Sequence, residues 1–393
     1  MNVKQLMADG IKTVAFRVFA LNFNVAAKLG IKKNSIVLFN LIGKSGFSGA
    51  LGEVKTELEK MGGFDIEIVD RDNLFAGTKA LIKFMTIDAF KMARARILFI
   101  NNNFFPFAYT SPNKEQKLVQ VWHGQGAFKK FGLDIPQPPK VRKKEIGANR
   151  NVSFVTCSAE SIRPIYMSAF GLPAQKVIVT GNPVTDYFFR EENVGNDAVV
   201  RKRAAFDEKY KLCKGKCLYL YAPTFRDTPE DDENIINSID LKRLKLAINK
   251  GITEDSVLLV RLHPNDSSGR EGLRRLCDSA EGILDVTDYP DSNELCILSD
   301  VLITDYSSIC MNNALLNKPV VFYAYDFDSF SGARDFYYDY EKTVGGPVAK
   351  DMDELVRIFE EQDFRPERLA AFRELHFGDP DGKATVKMLN QVL

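Results

Sequence analysis

Apolar runs of strand length alternate with helix-length segments twice along this chain, and that alternation leaves few folds open. In the first half, residues 35–41, 64–69, 95–101, 117–122, 152–158 and 176–180 read as buried strands, with helical stretches at 52–61 and 76–93. In the second half the strand-like runs are 217–222, 257–262, 283–286, 301–304 and 319–323, and the helical ones 241–250, 272–279 and 292–298. Strands that are apolar along their whole length are covered on both faces, as in parallel sheets. Repeated strand–helix units joined by right-handed crossovers build doubly wound sheets. The 393 residues exceed what one core usually holds, about 250–300 residues. The pattern predicts an α/β protein with two doubly wound, Rossmann-like domains, over 35–190 and 217–364, facing a central cleft. The charge-rich, strandless segment 191–216 is expected to connect them, and helices are expected over 352–361 and 365–393. Residues 131–151 read as a loop, with Pro136, Pro138 and Pro139 beside a basic cluster of Lys140, Arg142, Lys143 and Lys144.

Residues 1–34 carry a helical apolar stripe: Met7, Ile11, Val14, Val18, Leu21, Val25 and Leu29, with Phe16, Phe19 and Phe23 among them. Six Lys and Arg stand there against the single acid Asp9. Lys12, Arg17, Asn22 and Asn24 interrupt the apolar residues, so no run of about 18 spans a bilayer. Two readings follow: an amphipathic helix lying in an anionic membrane surface, or one packed on the protein's own core. Lys+Arg total 53 and Asp+Glu 52, so no overall field favours nucleic acid. The six scattered cysteines suit reduced, packed thiols better than a disulfide framework.

The turns after the strands carry the chemistry. Val301-Leu-Ile-Thr-Asp305-Tyr-Ser307-Ser308 runs from a strand through an acidic turn to two serines that can open a helix. Helix N-termini offer unpaired N–H groups and a positive dipole end to phosphate. The plain alternative is a serine-capped helix without a ligand. Of three histidines, His123 (in Trp122-His-Gly124-Gln125-Gly) and His263 (in Arg261-Leu-His-Pro) directly follow apolar strands, one in each predicted sheet. Histidine takes up protons near neutral pH, as activation of a hydroxyl nucleophile requires. Tyr221-Ala-Pro-Thr224-Phe-Arg226-Asp227 places a hydroxyl and a guanidinium after another strand, suited to phosphate oxygens or to an ordinary exposed Arg–Asp turn. Gly181-Asn-Pro183 shapes a tight turn. Gly43-Lys-Ser lacks the earlier glycine of a phosphate-binding loop. The pairs Asp326/Asp328, Asp351/Asp353 and Asp379/Asp381 do not follow strands as a nucleotide–metal site would need, and read as turns and solvated faces, so no metal and no cofactor is expected.

Taken together and in order, Trp122-His-Gly124, Gly181-x-Pro183-x-x-Asp186, Tyr221–Asp227, Arg261–Pro264 and Thr304-Asp-Tyr-Ser-Ser308 resemble the CDP-glycerol glycerophosphotransferases of teichoic acid synthesis, primases and polymerases alike. Phe336-Tyr-Tyr-Asp-Tyr-Glu341, Gly346-Pro347 and Asp381-Gly-Lys-Ala384 fit the same pattern. The resemblance implies a GT-B fold with an acceptor domain over 35–190 and a CDP-donor domain over 217–364. It implies a CDP-glycerol or related CDP-alcohol donor, a lipid-linked or polyol-phosphate acceptor, and peripheral attachment to the cytoplasmic membrane face. His123 would be the catalytic base. His263, Arg261, Thr224, Arg226, Asp305, Ser307 and Ser308 would serve the donor, and Trp122, Gly124, Gln125 and Lys129 the acceptor. Two departures, Gln125-Gly-Ala-Phe-Lys129 after the histidine motif and Val184 in place of an arginine, bear on the acceptor. Rival readings are a GT-B glycosyltransferase using a nucleotide sugar, a non-catalytic nucleotide- or polyanion-binding protein, and a membrane-associated scaffold.

Overall fold

The computed structural model describes all residues except 1–2, 43–48, 71–76, 227–235, 253–254, 264–267 and 334. Gly43-Lys-Ser, Asp227 and Pro264 therefore lie outside the described residues. The chain divides into two compact units, one of residues 1–187 with 376–393, the other of residues 188–375.

The first unit is built on six parallel strands: β1 (Lys32–Asn40), β2 (Asp65–Asp70), β3 (Ala95–Ile100), β4 (Lys117–Gln120), β5 (Phe154–Cys157) and β6 (Val177–Val179). Their order is β2-β1-β3-β4-β5-β6, so the chain reverses direction across the sheet between β1 and β3. Helices Gly49–Met61 and Ala384–Val392 cover one face: Leu51, Val54, Leu58, Met388, Leu389 and Val392 pack on Ile36, Leu38, Ile97, Phe99, Val119 and Val121. The helix α1 (Val3–Ala27) serves the other face, where Phe19 and Phe23 are buried and Phe19 packs on Phe84, Phe104 and Phe107. Yet Val14, Leu21 and Val25 are more than half exposed. The helix thus has apolar residues on both faces, one against the core and one toward solvent. Among the described residues no helix is long and apolar enough to cross a membrane.

The second unit carries β7 (Cys217–Tyr221), β8 (Ser256–Val260), β9 (Ile283–Asp285), β10 (Val301–Thr304), β11 (Val320–Tyr323) and β12 (Val348–Ala349), ordered β12-β11-β10-β7-β8-β9 and all parallel. Within the unit this is the 3-2-1-4-5-6 dinucleotide-fold order, with its switch point between β7 and β10. Helices Leu241–Gly251 and Met352–Glu361 close the core over one face.

Several sequence expectations are corrected. Residues 191–216 are not a bare connector: Glu191–Val194 and Asn196–Lys209 are helices of the second unit, tied in by Lys202–Glu294 at 3.1 Å. Their outward faces are polar, which is why they read as a linker. The loop expected at 131–151 holds a helix, Pro139–Asn149, started by a proline at its first position. The helix expected at 76–93 contains a π-helical turn, Phe84–Asp88. The C-terminal helices do not form one piece, because residues 376–393 belong to the first unit. Two motifs meet there. Asp186 accepts hydrogen bonds from Ala384 N (2.9 Å) and Thr385 N (2.8 Å), capping the last helix, and Gly181 (φ +85°) leaves room for Ala384. Gly346 has an equally local reason, since a side chain there would lie 1.8 Å from the Val320 carbonyl oxygen.

Asp186→Ala removes both capping bonds and leaves two helix N–H groups without a partner. It should lower the unfolding free energy by about 1–3 kcal/mol in urea titration, with Asp186→Asn recovering part of the loss.

Candidate functional site

In the first unit the site grows from the switch point. Asn40 ends β1 and Asn101 follows β3, both buried. Asn101 Nδ2 donates to Asn40 Oδ1 (2.8 Å), and its Oδ1 accepts from Leu41 N (2.8 Å). The Asn101 carbonyl faces His123 Nδ1 at 3.2 Å. A carbonyl only accepts, so the neutral ring carries its proton on Nδ1 and keeps the lone pair on Nε2. The protein mass around the ring lowers its pKa, against a smaller upward pull from the Asn101 carbonyl, while one side stays open to solvent. A neutral imidazole with a free Nε2 can take a proton from a bound hydroxyl.

The loop bearing His123 is tightly specified. Trp122 has φ +57°, unusual for a bulky side chain and worth about 1–3 kcal/mol of strain. Its N–H donates to Gln120 Oε1 (2.9 Å), and its ring packs on His123 (4.2 Å), Phe131 (5.4 Å) and Phe170 (5.1 Å). Asn182 Nδ2 donates to the Gly124 carbonyl (2.8 Å) and Tyr166 Oη to the Gly126 carbonyl (3.0 Å). The buried His376 accepts from Ala127 N (3.3 Å) through Nδ1. The turn Gly181-Asn-Pro, weak evidence in the sequence, thus braces the histidine loop. Gln125 and Lys129, half-buried, continue that loop beyond Gly124. Sequence reading missed Asn101, Asn182 and His376. The asparagines ending apolar strands were a usable signal, whereas nothing near His376 in sequence marks its role.

In the second unit Thr224, Arg226 and Asp305 meet at the β7/β10 switch point. Asp305 Oδ1 accepts from Thr224 N (2.8 Å), and its Oδ2 pairs with Arg226 Nη2 (2.9 Å). Arg226 also forms a two-pronged pair with Asp326 (2.9 and 3.1 Å) and donates to the Thr224 carbonyl (2.6 Å). It is buried, and Tyr306 and Phe330 flank its guanidinium. Burial opposes its charge, but Asp305 and Asp326 more than offset that and hold its pKa above the ordinary value. Arg226 therefore ties the turn to both carboxylates and to the Thr224 carbonyl. Asp326, half-buried, is its ion-pair partner and not part of a fully solvated turn.

Arg261 is the contrasting case. Half-buried, it donates to the Tyr289 carbonyl (2.6 Å) and the Val286 carbonyl (3.3 Å), and among the described residues no carboxylate pairs with it. Burial lowers its pKa, as expected for a cation short of a counter-charge. His263 is exposed, with Phe225 against its ring (5.1 Å). Thr224 Oγ1 is buried with no hydrogen-bond partner among the described residues. A half-buried guanidinium, an unpaired hydroxyl and a histidine at one strand edge can hold phosphate oxygens. Ser307 is half-buried and Ser308 exposed, but neither caps the following helix. That helix is Cys310–Leu315, its cap position is Ile309, and Ser307 Oγ accepts only a long bond from Ile309 N (3.4 Å). The Phe336–Glu341 motif braces the turn from outside, since Tyr340 Oη donates to the Asp305 carbonyl (2.9 Å) and Phe336 packs near Tyr306. Among the described residues no group of three or more His, Cys, Asp or Glu gathers as for a metal.

Comparison with known proteins agrees with these motifs. A family model described as CDP-glycerol:poly(glycerophosphate) glycerophosphotransferase matches residues 22–393. A teichoic acid poly(ribitol-phosphate) polymerase of Bacillus spizizenii is 33% identical over 98% of this chain and 60% of its own length. The chain thus spans less than two-thirds of that polymerase. A teichoic acid ribitol-phosphate primase of the same organism is 31% identical over 81% of this chain and 79% of its own. The solved wall teichoic acid polymerase TagF superposes with a TM-score of 0.71 at 21% identity, covering 100% of this chain and 97% of that one. This likeness, with the two parallel six-stranded sheets, gives the chain a GT-B-like α/β fold.

His376 is pushed down to about pH 3 by burial. The unfolded chain protonates it near 6.5 and the folded one does not, so its contribution destabilises the fold as pH falls from about 6.5 to about 3. Above that window it contributes no pH dependence. His376→Asn keeps an acceptor for Ala127 N and should flatten the stability–pH curve there, by up to about 1.4 kcal/mol per pH unit. Denaturation midpoints of the two proteins across pH 4–7 check this.

Proposed function

The chain belongs to the CDP-glycerol:poly(glycerophosphate) glycerophosphotransferase family, and from that premise we propose that it transfers a polyol phosphate from a CDP-polyol to a hydroxyl of a teichoic acid acceptor. His123 Nε2 takes the proton of the acceptor hydroxyl. The oxygen attacks the polyol-bearing phosphorus, its bond to the bridging oxygen breaks, and CMP leaves with the electron pair. The observation that carries this reading is the 3.2 Å contact of His123 Nδ1 with the Asn101 carbonyl, which can only accept and so leaves Nε2 to act as base. On the donor side Arg261, His263, Thr224 and the turn at Ser307 and Ser308 are the groups to meet the pyrophosphate, while Arg226 and Asp305 keep that turn rigid. Charge developing on the phosphates calls for such fixed cations and donors, and positioning supplies much of the remaining acceleration. The family model names glycerophosphate and the two relatives name ribitol phosphate, so CDP-glycerol and CDP-ribitol are the donors to compare. The reading includes no metal and no cofactor.

Membrane contact forms a second part of the proposal. Val14, Val18, Leu21 and Val25 make an outward apolar stripe on α1, bordered by the exposed Arg17 and Lys28. Cations beside an apolar face suit the anionic surface of a membrane, where a lipid-linked acceptor would lie. Because Phe19 and Phe23 belong to the core, point substitutions test this better than removal of the helix. Leu21→Glu with Val25→Glu should abolish sedimentation with anionic vesicles and leave the thermal midpoint unchanged. Vesicle binding equal to wild type would remove the stripe from the reading.

CMP release measured over CDP-glycerol, CDP-ribitol and UDP-sugars tests the reaction. Turnover of a CDP-polyol alone is expected, and turnover of UDP-sugars alone would replace the reading with glycosyl transfer. His123→Ala should lose about 10²–10⁴ in kcat. The wild-type rate should hold as pH falls to below 6.5, because burial lowers the pKa of the base.

The two arginines should separate cleanly. Arg261→Gln is expected to raise the KM for the CDP-polyol with the thermal midpoint kept. Arg226→Gln, which leaves Asp305 and Asp326 without their cation, is expected to cost about 3–5 kcal/mol of stability, read by urea unfolding.

A further inference from the structure

Gln120 has no part in the chemistry above. It ends β4, paired with Ile100 on β3 and Val155 on β5, and it is fully buried. Its neighbours Val119 and Val121 face the core under the helix Ala384–Val392, so by alternation Gln120 faces the other side of the sheet. A Met or Leu of similar size would fill that space without polar atoms. A buried carboxamide has to find partners or it lowers stability. Its Oε1 accepts from Trp122 N (2.9 Å), whereas among the described residues its Nε2 has no hydrogen-bond partner.

The bond it does make stands where the sheet ladder stops. Val121 N still donates to the Ile100 carbonyl (2.8 Å), and the next N–H along turns to Gln120 instead. There Trp122 takes φ +57°, and among the described residues it is the only aromatic one with a positive φ. Glycine adopts that conformation freely, and a bulky side chain resists it. An unmatched amide and a strained backbone, each a loss of stability, therefore occur together just before His123. What they secure is the placing of the indole. Its ring centre lies 4.2 Å from that of His123, whose Nδ1 meets the Asn101 carbonyl at 3.2 Å. Strain kept beside a reacting group is a means of preorganisation. We propose that Gln120 is a positioning residue for the transfer: by holding Trp122 N it keeps Trp122 left-handed, the indole against His123, and the His123 ring on the Asn101 carbonyl with Nε2 left as the base. The inference rests on the phosphotransferase reading of His123 and adds to it a residue that acts only through its neighbour.

The test compares wild type with Gln120→Met, which keeps the length and loses the acceptor, and with Gln120→Glu. Burial keeps that carboxyl protonated, and it again offers an oxygen to Trp122 N. Gln120→Met should lower kcat for CMP release roughly ten- to hundredfold. Its KM for the CDP-polyol should be unchanged and its thermal midpoint equal to wild type or higher. Gln120→Glu should recover most of kcat. Imidazole nitrogen NMR at neutral pH reads the ring itself, with His123→Ala assigning its signals among the three histidines. His123 should carry its proton on Nδ1 in wild type and Gln120→Glu, and show both tautomers in Gln120→Met. A wild-type kcat and a single Nδ1–H tautomer in Gln120→Met would overturn the proposal. So would a kcat that falls equally in both variants, or a lowered thermal midpoint in Gln120→Met, since either marks a structural role. If wild type turns over no CDP-polyol, the reaction reading falls, and the NMR still decides whether Gln120 sets the His123 ring.

Discussion

A parallel strand delivers its side chains and the first N–H groups of its loop to one edge of the sheet, and everything chemical in both units is built on that constraint. Where the chain order reverses, neighbouring loops leave in opposite directions and open a crevice. In the first unit this happens between β1 and β3, where Asn40 and Asn101 bond to each other and Asn101 sets the tautomer of His123. In the second it happens between β7 and β10, where Asp305 takes the Thr224 N–H and the Arg226 guanidinium. The two sheets differ in strand order, yet each places a buried polar pair at the reversal, Asn40–Asn101 in one and Arg226–Asp305 in the other, while His123 follows β4 and Arg261 and His263 follow β8.

Burial then decides what otherwise similar residues can do. His123 and His376 are both imidazoles held neutral by their surroundings. One keeps an open side and a free Nε2, and the other is enclosed, with its Nδ1 occupied by a backbone donor. The first can exchange protons with a ligand, and the second can only hold a loop in place. Arg226 and Arg261 divide in the same way. Two carboxylates satisfy Arg226, so its charge is internal to the turn. Among the described residues Arg261 donates to carbonyl oxygens alone, which solvate a cation without cancelling it. An anion gains more from the second arginine than from the first.

Much of the fold was legible in the sequence because its strands are apolar throughout and short. The runs at 301–304 and 292–298 matched their elements to the residue, and eleven of the twelve strands among the described residues had a recognisable run. The exception, β12, has two residues and no pattern to read. Helices with polar outer faces, Asn196–Lys209 and Pro139–Asn149, passed for linker and loop because little of either is buried. For the site, His123, His263, Thr224, Arg261 and Asp305 stood out by following strands directly. The ion pair of Arg226 with Asp326, one hundred residues on, was not legible, because nothing in the sequence links the two.

The sequence by itself determined the two parallel sheets, their strand-end turns and the order of motifs that place the chain in its family. Each of these depends on local pattern, on hydrophobic period and on turn residues a few positions apart. Only the tertiary structure decided that His376 supports the loop of His123, that Asp186 caps the last helix, that Arg226 is neutralised, and that α1 is apolar on both faces. Those outcomes depend on which distant groups share a desolvated space, because there an unmatched charge or donor is costly and a matched one is held in place.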